Sequence, residues 1–369
     1  MRYLVWCTCA SIATLSLGEQ RSIPAAPATG SIERMATLAM GRAAHTTTAL
    51  PSGDLLVAGG MGSRGGSLAT TELIHVSAGT IGATASMSQS RASHTATALG
   101  DGRVVLAGGY NGEYLASVEV YDERLRRFQV MGRLNEGRSG HTATLLPNGR
   151  ILIVGGVGRG WSFLSSAEVF DPASGRSENV GPMSVPRESH TATLLADGRV
   201  LVVGGHRDRR EAMEVYASAE LYDPASRRFQ PTAHLTTARH KHDAVRLSDG
   251  RVLVLGGADR TDRRYFATTE IFNPVTGSFG RGPSMVSSRY KFQGTSVRLA
   301  NGDVLVAAGA RGAELLDRDS LTFHPVAGEF PAALFFATAT PLSSGDVVIV
   351  GGYSTDNQST KGVWRFRAP

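Results

Sequence analysis

One block recurs seven times along the chain: a short apolar strand, an Asp-Gly-type turn, a second apolar strand and a Gly-Gly stop, which is Ala-Gly in block six. Its clearest copies span residues 141–156 and 190–205. The turn glycines are Gly53, Gly102, Gly149, Gly198, Gly250, Gly302 and Gly345, each followed seven residues later by the last glycine of the block. A repeat of about 50 residues that holds four short strands is typical of one blade of a β-propeller.

The fourth block shows how the residues of one repeat predict its strands. Residues 190–195 alternate as in a half-buried strand, whereas residues 200–203 form a continuous apolar run that predicts a strand buried on both faces. Asp197 and Gly198 between them predict a two-residue type I′ hairpin, in which both central residues have a positive φ. A third strand ends at Pro224, and a fourth begins near Phe229.

A third-strand motif also recurs, with a Glu followed by an apolar and an aromatic residue, over residues 119–122, 168–172, 220–224 and 270–274. Together with the Gly-Gly stops, it resembles the kelch repeat over roughly residues 31–366. Phe128, Phe229 and Phe279 stand where many kelch repeats have Trp on the fourth strand. The resemblance implies an all-β fold, a seven-bladed β-propeller of four-stranded antiparallel blades.

The two ends of the chain predict how the ring closes. The last block supplies only three strands, over residues 337–342, 347–350 and 363–366. Residues 30–35 resemble the fourth-strand segment of another block, at residues 277–282. We therefore expect the N-terminal strand to complete the seventh blade, which gives 28 strands and few exposed sheet edges.

The N-terminal segment, residues 1–29, is expected to be a secretory signal peptide with a Pro/Ala-rich linker, followed by the propeller domain over residues 30–369. Its apolar stretch, residues 3–17, is too short and too polar for a membrane-spanning helix. Cys7 and Cys9 are the only cysteines of the chain, so no disulfide is expected in the propeller. The net charge of +6 comes without a dense Lys/Arg run, which argues against nucleic-acid binding. We expect a monomeric bacterial protein that is secreted, periplasmic or at the cell surface.

Each of the first five blocks has an Arg three residues before a His. The Arg residues are Arg42, Arg91, Arg138, Arg187 and Arg239, and the His residues are His45, His94, His141, His190 and His242. Block six offers Arg289 or Lys291, and block seven has Leu334 at this position. Every block with a basic residue here also has a third-strand Glu: Glu72, Glu119, Glu168, Glu220, Glu270 and Glu314.

The joint occurrence of Arg and Glu allows two interpretations. Buried charges need partners, so Arg and Glu can form a structural network within one blade or between neighbours. Alternatively, the Arg ring contacts a ligand at the channel mouth. The recurrent His residues lie one per blade, too far apart to share a metal ion, so we expect no metal and no cofactor.

Candidate ligand-binding residues lie in the uneven loops that follow the Gly-Gly stops. They are Tyr110, Tyr114, Arg159, Trp161, His206, Arg207, Arg209, Arg264, Tyr265 and Tyr353. Aromatic rings and guanidinium groups suit stacking on sugars and bidentate binding of carboxylates. These loops therefore predict an exported, non-catalytic recognition module for a glycan or an acidic protein partner.

Two other functions stay open, a carbohydrate-active enzyme and a structural envelope scaffold. The chain has no His-Glu-x-x-His, no Gly-x-Ser-x-Gly and no phosphate-cradling loop. Galactose oxidase is a similar seven-bladed propeller, but its copper–radical cofactor needs a Cys, and none lies in residues 30–369. Bacterial sialic acid mutarotase is similar as a secreted kelch propeller with an Arg-lined mouth, and no motif of this chain matches its chemistry.

Overall fold

The computed structural model describes residues 29–369, so the predicted signal peptide and both cysteines lie outside the described residues. This part of the chain consists of β-strands and two single-turn 3-10 helices, Arg159–Trp161 and Arg210–Ala212, with no α-helix. No helix in it is long and apolar enough to cross a membrane.

Blades 1 to 5 are each formed by four consecutive antiparallel strands, ordered from the channel outwards. Blade 1 contains Thr46–Ala49, Leu55–Ala58, Thr71–His75 and Thr80–Ala83. Blade 2 contains Thr95–Ala98, Val104–Ala107, Ser117–Asp122 and Arg127–Arg133. Blade 3 contains Thr142–Leu145, Ile151–Val154, Ala167–Asp171 and Arg176–Val180. Blade 4 contains Thr191–Leu194, Val200–Val203, Ala219–Asp223 and Arg228–Pro231, and blade 5 contains Asp243–Arg246, Val252–Leu255, Thr269–Asn273 and Ser278–Arg281.

Blades 6 and 7 close the ring. Blade 6 contains Ser296–Arg298, Val304–Val306, Gly312–Leu316 and Phe323–Glu329. Blade 7 contains Thr338–Pro341, Val347–Val350, Gly362–Arg367 and, as its outer strand, the N-terminal Ser31–Thr37. The inner strand of each blade contacts that of the next, and the first contacts the last. The predicted seven-bladed propeller, closed by its N-terminal strand, is therefore confirmed.

Three small sheets, each of two strands of two residues, lie on the face where the inner strands begin. They pair Arg42–Ala43 with Met61–Gly62, Val157–Gly158 with Ser162–Phe163, and His206–Arg207 with Glu214–Val215. We call this side of the ring the loop face.

The core lies between the blades, which explains the continuous apolar run of every second strand. In blade 3, Ile151 and Ile153 pack towards blade 2 in one apolar cluster. Leu152 and Val154, the alternate residues, pack towards blade 4 in another. All four are at most 1% exposed. A strand between two neighbours in its sheet and between two blades has no solvent face, so both sides of its pleat are apolar.

The turn between the first two strands differs from the type I′ hairpin that the Asp-Gly pair predicts. The N–H of Gly198 donates to the carbonyl of Leu195 (3.2 Å), and the N–H of Leu195 donates to the carbonyl of Arg199 (2.8 Å). Gly198 has a φ of 87°, whereas Asp197 is not among the residues of positive φ. The prediction was wrong because a longer loop, with a turn followed by one left-handed glycine, also suits Asp-Gly.

The first glycine of each Gly-Gly stop lies against the backbone and side chains of the next blade. Gly155 has a φ of 62°, and a Cβ on it would lie 2.6 Å from the carbonyl oxygen of Arg187 and 2.9 Å from Cε1 of His190. Both neighbours belong to the next blade. Block six has Ala308 at this position, and there the next blade presents the small Ala337 instead of a His. The glycine is therefore needed where the following blade supplies a ring.

Block six also has an extra turn at the start of its inner strand. Phe292, in the His position, is followed by a turn over residues 292–295, in which the N–H of Thr295 donates to the carbonyl of Phe292 (3.1 Å). The buried carboxylate of Asp243 accepts the N–H groups of Gly294 (2.9 Å) and Ser296 (2.8 Å). Asp243 thus holds in place an insertion that the other blades lack.

Candidate functional site

The recurrent Arg side chains lie inside the blades. In block three, Nη2 of Arg138 is 3.0 Å from Oε1 of Glu168, and Nη1 donates to the carbonyl oxygens of Gly155 (2.8 Å) and Ser166 (3.1 Å). The other oxygen of Glu168 accepts the N–H of Asn135 (2.7 Å), so the pair also fixes the segment that enters the blade. The guanidinium group is 1% exposed. It therefore offers no surface to a ligand.

The same pair recurs in six blocks, always between the Arg and the Glu of one block. The N···O distances are 2.6 Å for Arg42–Glu72, 2.6 Å for Arg91–Glu119, 2.8 Å for Arg187–Glu220, 3.1 Å for Arg239–Glu270 and 2.8 Å for Arg289–Glu314. Arg289, not Lys291, thus occupies the recurrent Arg position of block six. This geometry favours the structural interpretation of the Arg ring over ligand contact.

The recurrent His residues connect neighbouring blades. Nε2 of His190 lies 3.0 Å from the hydroxyl of Thr142 on the preceding inner strand, and His94, His141 and His242 are held alike by Thr46, Thr95 and Thr191, each at 3.1 Å. His45 closes the ring against Thr338 at 3.2 Å. Burial lowers the pKa of His45, His141 and His190 to about 3, and the nearby Arg acts in the same direction.

These buried imidazoles predict acid sensitivity. Such a His stays neutral in the folded protein but becomes protonated in the unfolded chain. As the pH falls from about 6.5 towards 3, each such His therefore lowers the free energy of unfolding by about 1.4 kcal/mol per pH unit. His190→Phe copies the natural Phe292 of block six and should lower the slope of unfolding free energy against pH by about that amount. Urea denaturation at a series of pH values measures the slope. The exposed His234, changed to Phe, is the control, and equal slopes for both variants would contradict the assignment.

A ring of backbone hydrogen bonds surrounds the channel mouth on the loop face. The residue before each His position has a left-handed conformation: Ala44, Ser93, Gly140, Ser189, Lys241, Lys291 and Phe336 have φ values from 51° to 62°. At six of the seven blade junctions among the described residues, the N–H of one of them donates to the carbonyl of another in the adjacent blade, at 2.7 to 3.1 Å. The backbone alone therefore builds the rim, and its side chains can differ from blade to blade.

The side chains at the rim differ sharply between the two halves of the ring. Between the Arg and His positions, blocks one to three carry only Ala, Ser and Gly. Blocks four to seven carry Glu188 and Ser189, His240 and Lys241, Tyr290 and Lys291, and Phe335 and Phe336. One half of the mouth is thus small and flat, and the other is charged and aromatic. We call the charged and aromatic half the mouth cluster.

Lys291 lies in an aromatic box within the mouth cluster. Its Nζ is 2.8 Å from the hydroxyl of Tyr353 and 5.0 Å from the ring centroid of Tyr290, with Phe335 at 5.9 Å and Phe336 at 6.0 Å. Among residues 29–369, no carboxylate lies within 4.0 Å of this ammonium group. Burial lowers the pKa of Lys291 and raises that of Tyr353 to about 12. The charge of Asp262 acts on Lys291 from beyond contact distance. A partly desolvated cation with no carboxylate in contact favours the approach of an anion.

Lys241, on the adjacent blade, has a carboxylate partner in Asp262. Burial would raise the pKa of Asp262, but hydrogen bonds from His240 and Lys241 outweigh it and the pKa is lowered. Burial lowers the pKa of Lys241, and the positive charge of Lys291 acts in the same direction. The two amines therefore influence each other across the blade junction.

Glu188, His206 and Arg209 continue the cluster onto blade 4. Oε2 of Glu188 accepts Nη2 of Arg209 at 3.0 Å and lies 3.6 Å from Nε2 of His206. Burial raises the pKa of Glu188, although Arg209 and Lys241 oppose it. His206 is only 1% exposed, and burial lowers its pKa to about 3. His206, predicted as a ligand-binding candidate, is thus buried, and its ring faces His240.

Aromatic candidates form a second patch beside the cluster. The rings of Tyr110 and Tyr114 are 5.1 Å apart, and Tyr114 meets Trp161 edge-on at 6.2 Å. Arg209 lies 4.9 Å from the ring of Trp161. Trp161 is 58% exposed and has a φ of 64°, which is rare for a bulky residue and marks backbone strain of the kind found at functional sites.

The remaining candidates are placed as follows. Tyr265, 39% exposed, stacks on the buried Tyr290 at 3.8 Å and 9°. Arg159 and Arg264 are exposed and, among the described residues, have no carboxylate within 4.0 Å. Arg207 is exposed and paired with Glu214 at 2.7 Å. Tyr265 and Tyr353 thus join the mouth cluster, while Tyr110, Tyr114 and Trp161 form the patch beside it, and Arg209 contacts both.

Glu188, Tyr290, Lys291 and Phe336 are site residues that were not predicted from the sequence. The sequence pattern could have identified them, because the two residues between the recurrent Arg and His vary from block to block although the residues on both sides of them repeat. The mouth leads into a channel cavity of about 380 Å³ lined by Ser93, Ser189, Thr142 and Gln293 among others. Within residues 29–369, no three His, Cys, Asp or Glu side chains are grouped so that they could hold a metal ion.

The family model described as the KLHDC2/KLHL20/DRC7 Kelch-repeats domain matches residues 93–309, more than half of the chain. A search of curated proteins gives no match.

Proposed function

The chain belongs to the kelch-repeat family, whose domains are typically non-catalytic interaction modules, and from this we propose that it binds an acidic segment of a protein partner at the mouth of its channel. The observation that carries the proposal is Lys291, an ammonium group among four aromatic rings without a carboxylate within 4.0 Å in the described residues. Lys241 adds a second amine on the adjacent blade.

The shape of the mouth supports an extended ligand. Ala44, Ser93 and Gly140 form a low floor on one side, over which a chain can lie without meeting large side chains. On the other side the mouth cluster supplies charge, and Tyr265 supplies an exposed ring. Ligand sites are usually concave, and a few aromatic and charged side chains in them often contribute most of the binding energy.

Fluorescence anisotropy with a labelled octaglutamate peptide tests the proposal, with octaglutamine as the neutral control. Lys291→Gln keeps a donor for Tyr353 but removes the charge, and should weaken octaglutamate binding about tenfold, or about 1.4 kcal/mol. Lys361→Gln changes an exposed lysine of blade 7 and should change the affinity less than about twofold. Equal binding of the two peptides, or equal loss in the two variants, would contradict the proposal.

An acidic glycan is the second candidate, favoured by the strained, exposed Trp161 beside Tyr114 and Arg209. A sugar ring can stack on an indole, and a guanidinium can hold a carboxylate. A glycan array separates the two: hits that vanish in Trp161→Ala and persist in Lys291→Gln would favour the glycan.

We also propose that the protein is exported. The proposal rests on the composition of its N-terminal segment, which lies outside the described residues.

A further inference from the structure

Two buried imidazoles, His240 of the mouth cluster and His206 beside it, face each other. Nδ1 of His206 and Nδ1 of His240 are 3.1 Å apart, and the two side chains are 1% and 0% exposed. Only one hydrogen atom fits between two nitrogens at this distance, so one Nδ1 donates and the other accepts. Neither residue belongs to the His ring that connects the blades.

The outer nitrogens of the two rings face acceptors. Nε2 of His240 lies 3.1 Å from the carbonyl oxygen of Asp259 and 3.1 Å from Oδ1 of Asp262. Nε2 of His206 lies 3.6 Å from Oε2 of Glu188, a carboxylate that Arg209 also contacts. Nε2 of His240 must therefore carry hydrogen, because its hydrogen-bond partner is a carbonyl oxygen. The 3.6 Å contact of His206 is too long for a hydrogen bond, but a hydrogen on Nε2 is favoured there because a lone pair facing a carboxylate is repelled.

Counting hydrogens then shows a deficit. Two neutral imidazoles carry two N–H hydrogens, whereas two outer nitrogens and one bridge require three. The third is a proton, and it is best placed on His240, whose Nε2–H faces the charged Asp262. His206 then accepts at Nδ1 and stays neutral. The groups that face the pair are Glu188 and Arg209 on blade 4, Lys241 and Asp262 on blade 5, and the apolar ring of Phe163 on blade 3 at 5.6 Å from His206.

We propose that the His206–His240 pair binds this third proton and that the mouth takes it up together with an acidic partner, so that the partner is held more tightly as the pH falls. The proposal rests on the proposed function of the same site. With the proton bound, the charges of Arg209, Lys241 and the imidazole pair exceed those of Glu188 and Asp262 by one, and Lys291 adds another. An anion at the mouth favours the protonated pair, and by linkage the proton favours the anion.

The first experiment needs no ligand. Nitrogen-15 NMR of the histidine rings, followed from about pH 5.5 to 8.5, should show both nitrogens of His240 protonated at the acidic end and His206 protonated only at Nε2. A spectrum in which both rings stay neutral across the range, or in which carbon-13 shifts place the proton on Glu188, would overturn the assignment.

The second experiment measures the linkage with labelled octaglutamate as the probe. The affinity of the wild-type protein should fall about tenfold from pH 6 to pH 8, and calorimetry in two buffers of different ionisation enthalpy should show proton uptake on binding. His240→Gln should remove the pH dependence, whereas the control His234→Gln, at an exposed site, should keep it. Binding that is unaffected by pH overturns the linkage and leaves the proposed function standing. A shared proton without any octaglutamate binding contradicts the proposed function alone.

Discussion

Arg138→Met is expected to lower the free energy of unfolding by about 3–5 kcal/mol, because it leaves Glu168 ionised and unpaired inside blade 3. The change also removes the hydrogen bonds to the carbonyl oxygens of Gly155 and Ser166. Urea denaturation monitored by tryptophan fluorescence measures the loss. Such a large effect follows from burial, since the guanidinium is 1% exposed and the carboxylate 0%.

The double variant Arg138→Met with Glu168→Leu distinguishes a coupled pair from two independent contacts. It should cost clearly less than the sum of the two single changes, because the unpaired charge is gone. Arg150→Met serves as the control: the side chain of this arginine is 42% exposed, lies 3.7 Å from Asp171 and should contribute less than about 0.5 kcal/mol to stability. Strict additivity in the cycle would show that Arg138 and Glu168 do not act as a pair.

Gly155→Ala is the second large prediction, with an expected loss of about 3–5 kcal/mol. A left-handed alanine costs about 1–2 kcal/mol, and a methyl group 2.6 Å from the carbonyl oxygen of Arg187 forces blades 3 and 4 apart at a further cost of about 1–3 kcal/mol. Thermal or urea denaturation gives the value.

Gly149→Ala in the same block separates the two causes. Gly149 has a φ of 81°, and a Cβ on it would meet nothing within 4 Å, so only the conformational cost of about 1–2 kcal/mol is expected. If both glycines gave the same loss, the close approach of the blades at Gly155 would not be the reason for the Gly-Gly stop.

The repeat made the fold predictable because each block carries the whole pattern of one blade. The spacing of the glycines gave seven units, and the missing last strand of block seven required the N-terminal strand. The joint occurrence of Arg and Glu identified a contact across strands that the structure places within one block. The turn was mispredicted because Asp-Gly suits two hairpin types that differ in length by one residue.

The mouth cluster was hard to predict for a different reason. Lys291 and Tyr353 are 62 residues apart and meet only because the ring brings blades 6 and 7 to one rim. His206 and His240 likewise meet across a blade junction. The predicted site residues were taken from the uneven loops, whereas the rim residues lie at the two positions between the recurrent Arg and His of each block. Contacts between blades depend on where each side chain points, which a pattern along one blade does not determine.

The hydrogen-bonded rim has a consequence for design. Its hydrogen bonds join main-chain groups only, at Ala44, Ser93, Lys241, Lys291 and their counterparts. The shape of the opening is therefore uncoupled from the identity of the seven side chains that encircle it. The seven rim positions can therefore be substituted in combination with residues that tolerate the left-handed conformation, such as Gly, Asn and Asp. Such combinations would change the ligand preference of the mouth while the backbone of the propeller stays the same.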